Sequence, residues 1–139
     1  MSTTTIPAAL RRLIIERAEE KCEYCLSPQL FSSYSYEIDH IIAEKHGGST
    51  SSENLALACF PCNRHKGSDI ASLDPLTGEL TRLFDPRSQE WSDHFRIEDA
   101  RIVGTTPTGR TTVFLLQFNS GPEVLLRQMM IEQGVFPLE

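Results

Sequence analysis

No stretch of the chain approaches the roughly 18 consecutive apolar residues that a membrane-spanning helix needs, so none is expected. The opening residues, MSTTTIPAALRRL, hold no basic leader ahead of an apolar core. A secretory signal is therefore not expected, and a cytoplasmic location follows. The chain also lacks a basic surplus. Seven Lys or Arg against eight Asp or Glu leave residues 1–66 at −1, and six against eleven leave residues 67–139 at −5. Proteins that grip nucleic acid over a broad face carry a basic footprint. Only LRRLIIER and NRHKG are left to meet phosphates here, which disfavours tight, sequence-blind DNA binding. There is no internal repeat and no low-complexity tract.

Cysteine is scarce, with four in 139 residues, but the four are not scattered. They form two C-x-x-C pairs, CEYC at 22–25 and CFPC at 59–62. In a chain without a signal peptide such pairs read as metal ligands and not as disulfides. Cys22, Cys25, Cys59 and Cys62 supply four thiolates, the tetrahedral set of a structural zinc with no open coordination position. Metal binding of this kind contributes roughly 10 kcal/mol or more of apparent free energy, enough to pin the loops between the pairs.

Residues 7–20 carry Leu10, Leu13, Ile14 and Ala18 at helical spacing behind Pro7, which predicts a helix. KCEYC is then a compact turn, LSPQLFSSYS a surface loop and YEIDH a short strand. EKHGGSTSSE, at 44–53, is too rich in Gly and Ser for regular structure. NLALA is a second strand, and FPCNRHKGS starts a helix with Pro61 in its first turn. Beyond Ser68 the expected order is a turn (DPLTG), a strand (ELTRLF), a turn (DPRSQ), paired strands (HFRIE and ARIVG) and a loop (TPTGR). TVFLLQF could be strand or helix. Residues 122–133 suit a last helix stopped by Gly134. Trp91 and Phe95 are expected to pack inward, and His94 to cap or pack. Arg82, Arg87 and Arg96 make at most a weak positive strip among acids.

Between the knuckles, Asp39 and His40 stand side by side where a short apolar run ends in a polar loop. A folding argument wants neither there. Asn54 comes next, then Asn63 and His65 just after Cys62. With CEYC, IDHII, KHGG, NLALAC and CFPCNRHKG in this order, residues 7–68 resemble the HNH endonuclease family. The resemblance implies an α+β fold in which a ββα-metal core at 1–68 is stapled by the four-cysteine zinc. Residues 69–139 would form a C-terminal α+β extension packed on that core.

The resemblance also implies an activity: hydrolysis of DNA phosphodiester bonds with one divalent ion, Mg²⁺ or Mn²⁺. Asp39 becomes a ligand of that ion, and His40 the general base that deprotonates water, a role suited to its near-neutral pKa. Asn54 would brace the loop and orient His40. Many family members have His after the second knuckle. Asn63 stands there instead, as in some of the wider family, and its amide oxygen would ligate the ion. His65 is open as a second ligand. Lys45, Arg64, His65 and Lys66 are expected phosphate contacts, while His46 in the Gly-rich loop is left out of the site. A lone chain should nick DNA, because one site handles one strand; concerted double-strand cutting would call for a homodimer. The competing reading is a zinc-stabilised module that binds nucleic acid or protein without cutting. The acidic charge favours it, while Asp39, His40, Asn54 and Asn63 together disfavour it.

Overall fold

The computed structural model describes residues 5–31 and 35–136, so residues 32–34 of the expected LSPQLFSSYS loop lie outside it. The first helix, α1 (Ala8–Arg17), begins after Pro7 and buries Ile14, with Ala18 just beyond its end, whereas Leu13 is exposed. It stops before residue 20 because Glu19 and Glu20 both take positive φ to turn the chain into the first knuckle. Arg17 anchors the helix to the chain around residues 52–55 by donating to the carbonyl oxygens of Ser52 (3.0 Å) and Leu55 (2.8 Å).

Strands β1 (Glu37–His40) and β2 (Leu55–Ala58) pair antiparallel, with Asp39 opposite Ala56 and His40 opposite Leu55. All four β2 residues are buried, as expected of a strand covered on both faces. The chain then enters α2 (Phe60–Lys66), with Pro61 in its first turn, where a missing N–H costs nothing. A β-hairpin and a short helix are thus consecutive around the two knuckles.

The second half contributes two further hairpins, β3 (Ala71–Leu73) with β4 (Leu80–Arg82) and β5 (Phe95–Glu98) with β6 (Arg101–Gly104). Helices α3 (Pro107–Leu115) and α4 (Gly121–Glu132) close it, and Gly134 past α4 has φ +72°, as a helix stop requires. Strand β3 has no counterpart in the expected order. TPTGR is corrected from loop to helix. Thr106 caps it by accepting the Gly109 N–H (3.0 Å), and Pro107 occupies the first turn. Gly109 serves close packing and not a turn: a Cβ there would stand 1.9 Å from the His94 carbonyl oxygen.

One hydrophobic cluster joins the two halves, from Ile14 and Leu55 to Phe84, Phe95, Ile102 and Phe118. Phe95 is its aromatic hub, with ring centroids 4.9 Å from Trp91, 5.3 Å from Phe84 and 5.7 Å from Phe118. Trp91 and Phe95 therefore pack as expected, while His94 bonds Thr106 Oγ1 through Nδ1 (2.7 Å). No described helix is long and apolar enough to cross a membrane.

Candidate active site

The two knuckles converge. The Sγ atoms of Cys22, Cys25, Cys59 and Cys62 all lie within 4.8 Å of one another, all four residues are buried, and none is in a disulfide. Cys25 and Cys59 are 3.7 Å apart, close to the edge of about 3.8 Å in a tetrahedron with Zn–S bonds of about 2.3 Å. The N–H groups of Tyr24 and Cys25 point at Cys22 Sγ (3.4 and 3.5 Å), as donors to a thiolate would. Hydrogen bonding to Cys22, Cys25 and Cys59, and then burial, hold the Cys62 thiol well above its usual range. Cys25 moves the other way, lowered by hydrogen bonds from Cys22, Cys59 and Cys62. Four thiolates cannot share a buried pocket without a cation. The donor set fits a structural zinc.

Successive strand residues point to opposite faces, and Asp39 and His40 accordingly meet different partners. Asp39 is buried, 4% exposed. Its Oδ2 accepts from the Tyr24 hydroxyl (2.7 Å) and lies 3.1 Å from Lys66 Nζ. Its Oδ1 has a longer 3.4 Å contact with the same ammonium. Burial raises the Asp39 carboxyl above its usual range, against the opposing pull of Lys66 and Tyr24. Tyr24 is pushed well up, by burial first and then by the Asp39 charge, so it stays a hydroxyl donor. His40 is buried too, and its Nε2 sits 2.9 Å from Thr50 Oγ1.

The loop between β1 and β2 is held from inside by Asn54. Its Oδ1 accepts the Ile42 N–H (2.9 Å), while Nδ2 donates to the carbonyls of Ile42 (2.9 Å) and Ser49 (2.8 Å). Gly48 makes this possible: a Cβ would fall 1.7 Å from the Ile42 carbonyl oxygen and 2.8 Å from Asn54 Nδ2. Gly47 beside it has φ +91°. Lys45 and His46 ride exposed on a short 3₁₀ turn, Glu44–His46. On α2, Asn63 is half-buried, and its side-chain amide has no hydrogen-bond partner among the described residues. Arg64 is exposed, with its guanidinium 5.4 Å above the Phe60 ring.

Residues 22–69 match the model of the HNH endonuclease family. Over these residues the chain is similar to HNH endonucleases. The match takes in both knuckles, β1, β2 and α2. Curated proteins and solved structures give no match to the chain.

One expectation for this region changes with the structure in view. Lys66 does not reach outward to phosphate. It is 2% exposed, and its Nζ is spent on Asp39 and on the carbonyls of His40 (3.3 Å) and Ile41 (3.0 Å). A signal for this was present: Cys62 and Lys66 are four apart on a helix and share a face, so a Cys62 turned inward to metal takes Lys66 with it. His65, two residues from Asn63, lies on a different face of α2 and neighbours Glu123 of α4; its Nδ1 is buried without a partner. The two side chains therefore leave the helix in different directions. Tyr24 and Thr50 were missed. Neither sits in a ligand spacing, and nothing local reveals that a knuckle tyrosine meets a strand carboxylate.

Proposed function

We propose that the chain is a divalent-metal-dependent endonuclease that hydrolyses phosphodiester bonds in DNA, with residues 1–68 as the catalytic core. Residues 69–139 form an extension packed on it through Arg87 on Glu23 and the Trp91 indole on the Tyr24 carbonyl. The observation that carries the reading is the Asp39-His40 pair. It stands at the end of β1 in the region that matches the HNH family, with Asp39 held by the Tyr24 hydroxyl and His40 by Thr50.

Asp39 and Asn63 would hold the catalytic ion through oxygen atoms, a donor type suited to a hard cation. Asp39 Oδ1, with only a long contact, and the unpartnered Asn63 amide are the oxygens on offer. A bound Mg²⁺ or Mn²⁺ supplies Lewis-acid polarisation of the phosphate and stabilises the departing 3′ oxygen. His40 takes a proton from water. The hydroxide forms the new P–O bond, the bond to the 3′ oxygen breaks, and solvent protonates that oxygen. Asn54 holds the loop between β1 and β2, while Lys45 and Arg64 meet phosphates from exposed positions. A cytoplasmic setting belongs to the same reading, because thiolate ligands persist where thiols stay reduced.

Two observations favour the competing, non-cutting reading. The Asp39 carboxylate is already paired with an ammonium, and the chain carries a net −6, so the same scaffold could bind a partner without hydrolysis. Supercoiled plasmid with Mg²⁺ or Mn²⁺ separates the two. Wild type should give open circles before linear DNA, and His40→Ala should slow nicking by roughly 10²- to 10⁴-fold while staying folded. A folded His40→Ala that nicks at the wild-type rate removes the nuclease reading. Linear product appearing directly at low enzyme concentration would instead mark a homodimer.

A further inference from the structure

We infer that Thr50 is the positioning residue of His40: its hydroxyl accepts the Nε2–H and leaves Nδ1 to receive the proton from water. The inference rests on the reading of His40 as general base. Neutral imidazole carries one N–H and one lone pair, and the partner of one nitrogen decides which nitrogen is basic. Thr50 Oγ1 lies 2.9 Å from Nε2, within hydrogen-bond reach. If the hydroxyl donated instead, the Nε2 lone pair would be occupied and Nδ1 would carry the hydrogen, leaving no free basic nitrogen. An acceptor at Nε2 serves both states of the ring, because the imidazolium formed when Nδ1 gains a proton keeps the same Nε2–H bond.

The surroundings make this contact a fixed one. His40 is 7% exposed, so its ring has little room to swing to other partners. Thr50 is the residue after Ser49, whose carbonyl is tied to Asn54 Nδ2 at 2.8 Å. Asn54 also clamps both polar groups of the Ile42 backbone, two residues after His40. Gly48 packs directly on this clamp, where a Cβ would stand 1.7 Å from the Ile42 carbonyl oxygen. Asn54 makes no side-chain bond to His40 among the described residues, so its influence on the ring runs through the loop to Thr50.

The experiment uses the full chain loaded with zinc, with Mn²⁺ as the added ion, and compares Thr50→Val, Thr50→Ser and His40→Ala. Thr50→Val keeps the shape and loses the hydroxyl. Its nicking rate should fall about 10- to 100-fold with zinc content and melting temperature near wild type, and Thr50→Ser should recover to within about threefold. Nitrogen-15 NMR of the imidazoles, with His40 assigned by its loss in His40→Ala, should show Nε2 protonated and Nδ1 bare in wild type. That pattern should be lost in Thr50→Val. A wild-type ring with hydrogen on Nδ1 overturns the inference, as does a folded Thr50→Ser as slow as Thr50→Val. If His40→Ala is inactive while Thr50→Val nicks at full rate, the role of Thr50 falls and the nuclease reading stands. A folded His40→Ala at the wild-type rate removes the reading beneath both.

Discussion

Lys66 is the side chain with most at stake. An ammonium 2% exposed and a carboxylate 4% exposed face each other at 3.1 Å, with the carbonyls of His40 and Ile41 and the Tyr24 hydroxyl completing the shell. Such a pair adds little over a well-packed apolar one, but breaking it from one side strands a buried charge at a cost of about 3–5 kcal/mol. Lys66→Met should therefore lower stability by about that amount in urea unfolding, whereas a surface phosphate contact would change it by under about 0.5 kcal/mol. Adding Asp39→Asn should recover part of the loss, because the stranded charge is gone. A Lys66→Met protein as stable as wild type would return Lys66 to the surface role expected from NRHK.

Between elements, Arg110 of α3 pairs with Asp74, just past β3, through two bonds of 2.8 and 3.1 Å. Asp74 also accepts from the Leu76 N–H and the Thr77 hydroxyl, which closes the DPLTG turn as expected. Hydrogen bonding from Arg110 is the largest influence, and it lowers the Asp74 carboxyl to about 2. A carboxyl whose pKa is depressed on folding contributes stability above its unfolded pKa, about 4, and loses it as pH falls through the folded value. The urea midpoints of wild type and Asp74→Asn should thus differ at pH 7 and converge between about pH 4 and pH 2. A gap that persists unchanged at pH 2 would show that the Asp74 charge is not what joins the hairpin to α3. At this scale strand β4 and the β5–β6 hairpin were legible, unlike β3, because alternation is a local signal. The helix at TPTGR was not. Pro and Gly signal a loop when read locally, yet Pro107 fits a first helical turn, and Gly109 answers to the distant His94 carbonyl.

Across the whole molecule the zinc knuckle is the junction. Tyr24, between the two cysteines of the first pair, donates to Asp39 through its hydroxyl and accepts from Trp91 through its carbonyl, while Glu23 beside it pairs with Arg87. Metal at the knuckle thereby bears on the Asp39 carboxylate and on the docking of the second half. Protein purified without added metal should hold one zinc per chain by elemental analysis. Chelation, or Cys59→Ala, should lower the melting temperature strongly and shift the emission of the single tryptophan to the red as Trp91 leaves the knuckle. Zinc far below one equivalent, or Trp91 emission unmoved by its removal, would break the link between the metal and the second half.

The sequence by itself determined what spacing can carry: two C-x-x-C pairs as one four-thiolate set, Asp39-His40 at a strand end, and Asn54 and Asn63 at fixed offsets from the flanking elements. These are relations over a few residues, set by the geometry of a turn, a strand or a helix. Only the tertiary structure decided that Lys66 faces Asp39, that Tyr24 links the knuckle to the same carboxylate, and that Thr50 rather than Asn54 touches the His40 ring. Each of those depends on which surfaces meet once the hairpin, α2 and the second half are packed. A buried carboxylate and imidazole take whatever donors and acceptors the packed elements bring within about 3 Å, because leaving them unpaired costs more than any local preference.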